Sequence, residues 1–217
     1  RTVFELQDYD IEAIDVGAKG IKMEQLEMLQ SKLIYVTPSH QYPTGTSIPI
    51  QERQQLLQWA NLNGGYIFED DYDSEFRYKQ HPIPALASLR QDCVIYVGTF
   101  SKAFLPSLRL SYMVLPDKLL KEYQVKFASF EQNASNLHQR TMANFIAKGY
   151  WESHIRKMRA VYKQKMQMLV QELERRFGEH IQIIGQYSGL YILICIRTTY
   201  SEAELIKKAK NHGVKVY

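Results

Sequence analysis

Residues 93–112 read CVIYVGTFSKAFLPSLRLSY, and the stretch divides at Gly98. Cys93–Val97 is a short continuous apolar run, the form taken by a strand buried on both faces. Beyond it come two hydroxyls (Thr99, Ser101), an ammonium (Lys102), a proline (Pro106) and, seven residues past the lysine, a guanidinium (Arg109). In open α/β sheets, ligands bind beyond the carboxyl ends of the strands. Hydroxyls with a guanidinium suit a phosphate, which needs several donors and positive charge. The lysine is then left over, and a part-buried lysine is a nucleophile toward a carbonyl, forming a Schiff base. Taken alone, a Ser-Lys pair is usually just surface.

Working outward, the same punctuation recurs. Leu33–Val36 is an apolar run closed by Thr37-Pro38. Residues 50–61 have helical spacing, with Gly64-Gly65 as the stop. Tyr66–Phe68 is a second run ending in Glu69-Asp70-Asp71, Val94–Val97 a third, and Leu110–Leu115 a fourth closed by Pro116. Short apolar runs joined by helices predict an α/β fold, a mostly parallel sheet with helices on both faces. After Pro116 the pattern turns helical, over 117–130 and 134–148. Trp151, Ile155, Met158, Tyr162, Met166, Leu169, Leu173 and Phe177 then form one stripe on a helix of roughly 27 residues, about 40 Å long. Its basic face (Arg156, Lys157, Arg159, Lys163, Arg175) reads first as a solvated face. Gly189–Ile196 reads as a strand. Residues 201–211 read as a helix opened by a Ser201/Glu204 capping box, with a further strand beginning at Val214. The expected divisions are 1–148, part of a large domain; 149–178, a connecting helix; and 179–217, the start of an α+β small domain. Both ends read as cut from something longer.

Composition sets bounds. The chain has 217 residues, 45% hydrophobic and 12% aromatic, enough for a real core. No run approaches the ~20 apolar residues of a membrane helix, and residues 1–10 lack a signal-peptide core. Two cysteines, Cys93 and Cys195, make neither a disulfide framework nor a zinc site, which favours a cytoplasmic setting. A net charge of +4 is too diffuse to claim nucleic-acid binding for this segment.

Two more constellations sit where apolar runs end. In Glu69-Asp70-Asp71-Tyr72-Asp73, carboxylates directly follow a strand, where burial is costly unless a cation is met. A protonated pyridine nitrogen would be such a cation; capping the next turn is the ordinary alternative. In Ser39-His40-Gln41-Tyr42-Pro43-Thr44-Gly45, Pro-Thr-Gly makes a fixed turn that fits a loop holding a flat ligand, or any surface bend. Together, a phosphate cradle, an amine nucleophile and a carboxylate for a ring nitrogen are the needs of pyridoxal 5'-phosphate. Tyr72 could reach the ring's phenolic oxygen, and the loop 39–45 supplies further polar groups.

The order of these motifs resembles fold-type I pyridoxal-phosphate enzymes of the aspartate aminotransferase superfamily. More narrowly, TPSHQYPTG (37–45), EDDYDSEFRY (69–78), GTFSKAFLPSLRLSY (98–112) and GYWESHIRKMRAVYKQK (149–165) are similar to the MocR/GabR group, which fuses a GntR-type winged helix-turn-helix to an aminotransferase-like domain. The resemblance implies that Lys102 is the internal-aldimine lysine and that Asp70 pairs with the pyridinium. It implies that Tyr72 bonds the phenolic oxygen and that Thr99, Ser101 and Arg109 hold the phosphate, with His40 and Tyr42 on the cofactor loop. Ordinary aminotransferases have Asn directly before Pro-Thr-Gly; Tyr42 stands there, as in the MocR group, which favours a sensor over an efficient catalyst. The resemblance further implies a homodimer and an amino compound or amino acid sensed through an external aldimine. DNA would be bound through a winged-helix domain preceding residue 1, and no membrane or metal is involved. The alternatives are a free-standing aminotransferase and a degenerate domain without cofactor.

Overall fold

The structure, a computed structural model, describes residues 2–17, 20–79 and 83–216. In chain order it contains helix α1 (Thr2–Glu5), strands β1 (Val16–Gly17) and β2 (Gly20–Ile21), helix α2 (Met23–Met28), strand β3 (Leu33–Val36), helix α3 (Ile50–Asn63) and strand β4 (Tyr66–Asp71). There follow the single turn α4 (Leu86–Leu89), strand β5 (Val94–Thr99), the single turn α5 (Phe100–Ala103) and strand β6 (Ser111–Val114). Helices α6 (Asp117–Lys126), α7 (Asn136–Ala147) and α8 (Tyr150–Phe177), strands β7 (Ile181–Ile184) and β8 (Leu193–Ile196) and helix α9 (Glu202–Asn211) complete it.

The four expected runs form one sheet in the order β3-β4-β5-β6. The first three strands are parallel and β6 joins antiparallel. One face packs Ile34, Val36, Ile67 and Val94 against Leu56, Leu57, Trp59 and Ala60 of α3 and Leu86 of α4. Helix α3 stops where expected: Gly64 adopts φ 59°, ψ 31°, the left-handed cap that a residue with a Cβ disfavours. Gly98 has a different task. A Cβ there would lie 2.4 Å from Tyr112 Cζ, so its bare backbone is what lets the Tyr112 ring cross β5.

Two charged side chains lie inside this core. Arg53 is fully buried and donates to three carbonyls, Ile48 (3.0 Å), Pro84 (2.8 Å) and Pro38 (2.7 Å). Glu69, also fully buried, accepts from the Leu86 and Ala87 amides at 2.9 Å each, anchoring the start of α4. Burial pushes the guanidinium down to about 10 and the carboxyl up, while the opposite charge of each partner restrains the other.

Several boundaries differ from the sequence reading. Strand β4 continues past Phe68 to Asp71, because its acids alternate faces as strand residues do and find partners there. β8 begins at Leu193, not Gly189, since Gly189 takes φ +71° and leaves the extended region. β7 was not foreseen; it pairs antiparallel with β8. The helix expected over 117–130 ends at Lys126, and Val214–Val216 form no strand, with Tyr217 outside the described residues. Thr2–Glu5 is helical, and Cys195 is exposed. In α8, Ile155 packs with Phe76 and Ala103, and Trp151, Met158 and Tyr162 join them. The stripe's far end, Leu169 and Phe177, stays exposed.

Candidate functional site

Lys102 stands one turn beyond β5. The Thr99 side chain starts that turn: its Oγ1 accepts from the Ser101 amide at 3.1 Å and from the Ser111 hydroxyl at 3.2 Å. The Thr99 hydroxyl and the Phe100 amide both donate to the Leu110 carbonyl, at 3.3 and 3.0 Å. The loop 100–110 is thereby closed on itself. Arg109 ends the Pro106–Leu108 turn with φ 48°, ψ 41°, a left-handed conformation uncommon for a side-chain-bearing residue, and its side chain is exposed.

The acids of β4 divide by face. Asp70 is half-buried and accepts a hydrogen bond from the Tyr35 hydroxyl, whose ring stacks on Phe68 with centroids 5.7 Å apart. Burial pushes the Asp70 carboxyl up; the Tyr35 hydroxyl works against that, and the neighbouring Asp71 and Asp73 charges add to it. Asp71 faces the other way and accepts from the Tyr96 and Ser74 hydroxyls, both at 2.7 Å. Tyr72 donates to the His40 carbonyl at 2.8 Å, and burial drives its phenol well above the usual range.

A cavity of about 910 Å³ gathers Lys102, Tyr72, Tyr42, Asp73, Tyr35 and Tyr191. So of the eight residues singled out in the sequence, Lys102, Tyr72 and Tyr42 share its wall, and Asp70 adjoins it through Tyr35. Thr99, Ser101 and Arg109 stay on the loop beside Lys102, outside that wall. His40 is only 2% exposed and lies behind it, with Nδ1 2.8 Å from Asp73 Oδ2. Sequence reasoning missed Tyr35 and Tyr191 and gave Asp73, within the acidic stretch 69–73, no role of its own. Tyr35 had a usable signal: it is the polar-tipped residue of an otherwise apolar strand, and parallel pairing places it opposite Phe68, two residues before Asp70. Tyr191 had none, being 119 residues from Tyr72. Among the described residues no group of three or more His, Cys, Asp or Glu side chains could hold a metal ion, and no helix is long and apolar enough to cross a membrane.

Residues 5–217 match the family model described as aminotransferase class I and II. The chain belongs to that family. Relatives at the level of sequence include the uncharacterized HTH-type transcriptional regulator YdeL of Bacillus subtilis, 46% identical over all of this chain and 47% of its own length. The probable rhizopine catabolism regulatory protein MocR of Rhizobium meliloti is 32% identical over 93% of this chain and 41% of its own. Among solved structures, the α-aminoadipate aminotransferase LysN from Thermus thermophilus, complexed with N-(5'-phosphopyridoxyl)-L-leucine, superposes with a TM-score of 0.83 at 25% identity, over 98% of this chain and 56% of its own. The chain thus has the α/β fold of fold-type I aminotransferases, and it spans about half the length of the curated relatives it matches.

Proposed function

We propose that the chain is the pyridoxal-phosphate-binding, aminotransferase-like effector domain of a GntR/MocR-type transcriptional regulator, which senses an amino compound at the Lys102 cavity. The observation that carries this is the meeting of Lys102 and Tyr72 on one cavity wall, with Asp70 adjoining, in a chain 46% identical end to end to an HTH-type regulator.

The donor set suits the cofactor. Its phosphate would be met by Ser101 and Arg109, with Thr99 shaping the loop that presents them. Its ring nitrogen would face Asp70, a carboxylate that burial leaves short of a positive partner. Bound there, pyridoxal phosphate supplies an aldehyde carbon for amines and an electron-withdrawing ring. The Lys102 Nζ is the amine within reach, and it would hold or release a proton as ligands come and go. Tyr72 would make the phenolic-oxygen contact by redirecting the one hydroxyl proton that here goes to the His40 carbonyl, and Tyr42 replaces the asparagine donor of ordinary aminotransferases. Removing that donor favours sensing over turnover.

The test is DNA binding by the full-length protein with and without pyridoxal phosphate and a panel of amino compounds. We expect at least one amine to shift the affinity when the cofactor is present, and Lys102→Ala to abolish the shift while DNA binding itself survives. Full transaminase turnover with no effect on DNA would support a free-standing aminotransferase instead.

A further inference from the structure

Behind the cavity the chain crosses itself at one point. The His40 ring is buried, its Nδ1 2.8 Å from the Asp73 carboxylate, and both side chains are almost fully enclosed, at 1% and 3% exposure. A carboxylate at that distance holds the proton on Nδ1, and Nε2 is left with no hydrogen-bond partner. The ring is instead wedged among backbone. Gly189 has φ +71°, and a Cβ on it would lie 1.8 Å from His40 Cε1; a Cβ on Gly45 would lie 3.0 Å from His40 Nε2. Tyr191 then lays its ring on His40, with centroids 4.4 Å apart.

The segment 185–191 that carries Tyr191 is stitched to residues 76–78, which closely follow the cavity residues Tyr72 and Asp73. Gly189 donates its amide to the Phe76 carbonyl (2.7 Å), Tyr78 donates its amide to the Tyr187 carbonyl (2.9 Å), and the Tyr78 hydroxyl donates to the Gly189 carbonyl (2.7 Å). Tyr191 and Leu190 both line the cavity, with Tyr72 and Lys102.

We propose that His40 and Asp73 are a positioning pair that seats Tyr191 against the cofactor cavity, so that the C-terminal segment 185–191 forms part of the wall the cofactor meets. The inference rests on the cofactor reading above. His40 does this from behind: its ring supports Tyr191, and its own carbonyl holds the Tyr72 hydroxyl. The Tyr191 hydroxyl contributes little, since its contacts to Tyr72 and the Gln41 carbonyl are both 3.5 Å long. What matters is the ring.

The experiment uses full-length protein loaded with pyridoxal phosphate, in wild-type, Lys102→Ala, His40→Phe, Asp73→Asn, Tyr191→Phe and Tyr191→Ala forms. The readouts are the cofactor dissociation constant and, at saturation, the visible circular dichroism of the bound chromophore, which reports the asymmetry of its surroundings. Variants lacking a wild-type far-ultraviolet spectrum are set aside, and Tyr191→Phe against Tyr191→Ala then carries the comparison. We expect Tyr191→Ala and His40→Phe to weaken cofactor binding about tenfold and reshape the visible band, with Asp73→Asn weaker in effect because its amide oxygen still accepts the Nδ1 proton. Tyr191→Phe should stay near wild type, a rescue that a loss of general stability would not produce. Wild-type affinity and band shape in Tyr191→Ala, with the band still lost in Lys102→Ala, would overturn the positioning role and leave the cofactor reading standing. A band that persists in Lys102→Ala would remove both.

Discussion

Single residues here are governed by where they fall on β4 or just beyond it and by how much water they keep. Asp70, Asp71 and Asp73 are consecutive or nearly so, yet meet Tyr35, Tyr96 with Ser74, and His40 respectively. The acids were legible from the sequence as carboxylates closing an apolar run; their alternation along β4 and their tyrosine and histidine partners were not, because the partners arrive from other strands and loops. Glu75 shows the cost of such enclosure. Its Oε2 has no hydrogen-bond partner, and burial pushes its carboxyl from the ordinary 4.5 up to about 7. The native state therefore keeps a proton that the unfolded chain releases. That stabilisation is complete below about 4.5 and is lost as the pH rises through about 7. Glu75→Gln should remove this part of the slope and stabilise the protein at pH 8 by about 1–3 kcal/mol, as read from urea midpoints across pH. An unaltered slope would show Glu75 to be ionised in the native state throughout.

Among the elements, the sheet was readable because its strands are short apolar runs with abrupt polar ends, and α8 because its stripe repeats every three or four residues. β7 was unreadable: Gln182 interrupts Ile181–Ile184, and the strand exists through pairing with β8, which local sequence does not encode. Arg53 was equally hidden, one polar residue in the run Gln51–Gln55 whose burial depends on carbonyls 31 residues away at Pro84 and 15 away at Pro38. It ties both sides of the loop 38–48, and so the wall that carries Tyr42, to α3. Arg53→Met should cost about 3–5 kcal/mol, chiefly because it leaves three carbonyls without their charged donor, and also because it removes a positive charge that offsets Glu69. Chemical denaturation measures this directly. A loss under about 1 kcal/mol would mean that water replaces the guanidinium.

For the whole molecule, the three motif loops follow the parallel strands β3, β4 and β5 and so meet at one sheet edge, as the sequence reading expected. What they could not supply was the enclosure: Tyr35, Asp73 and Tyr191 close the cavity through contacts that only the fold creates. On the regulator reading the full-length protein is a homodimer, and light scattering should return twice the subunit mass. A monomeric mass that does not change with cofactor would contradict that. The central claim is the bond at Lys102. Full-length protein incubated with pyridoxal phosphate, reduced with borohydride and mapped by peptide mass spectrometry should carry a phosphopyridoxyl group on the peptide containing Lys102. The account predicts that single modified site; modification elsewhere with Lys102 untouched would contradict it.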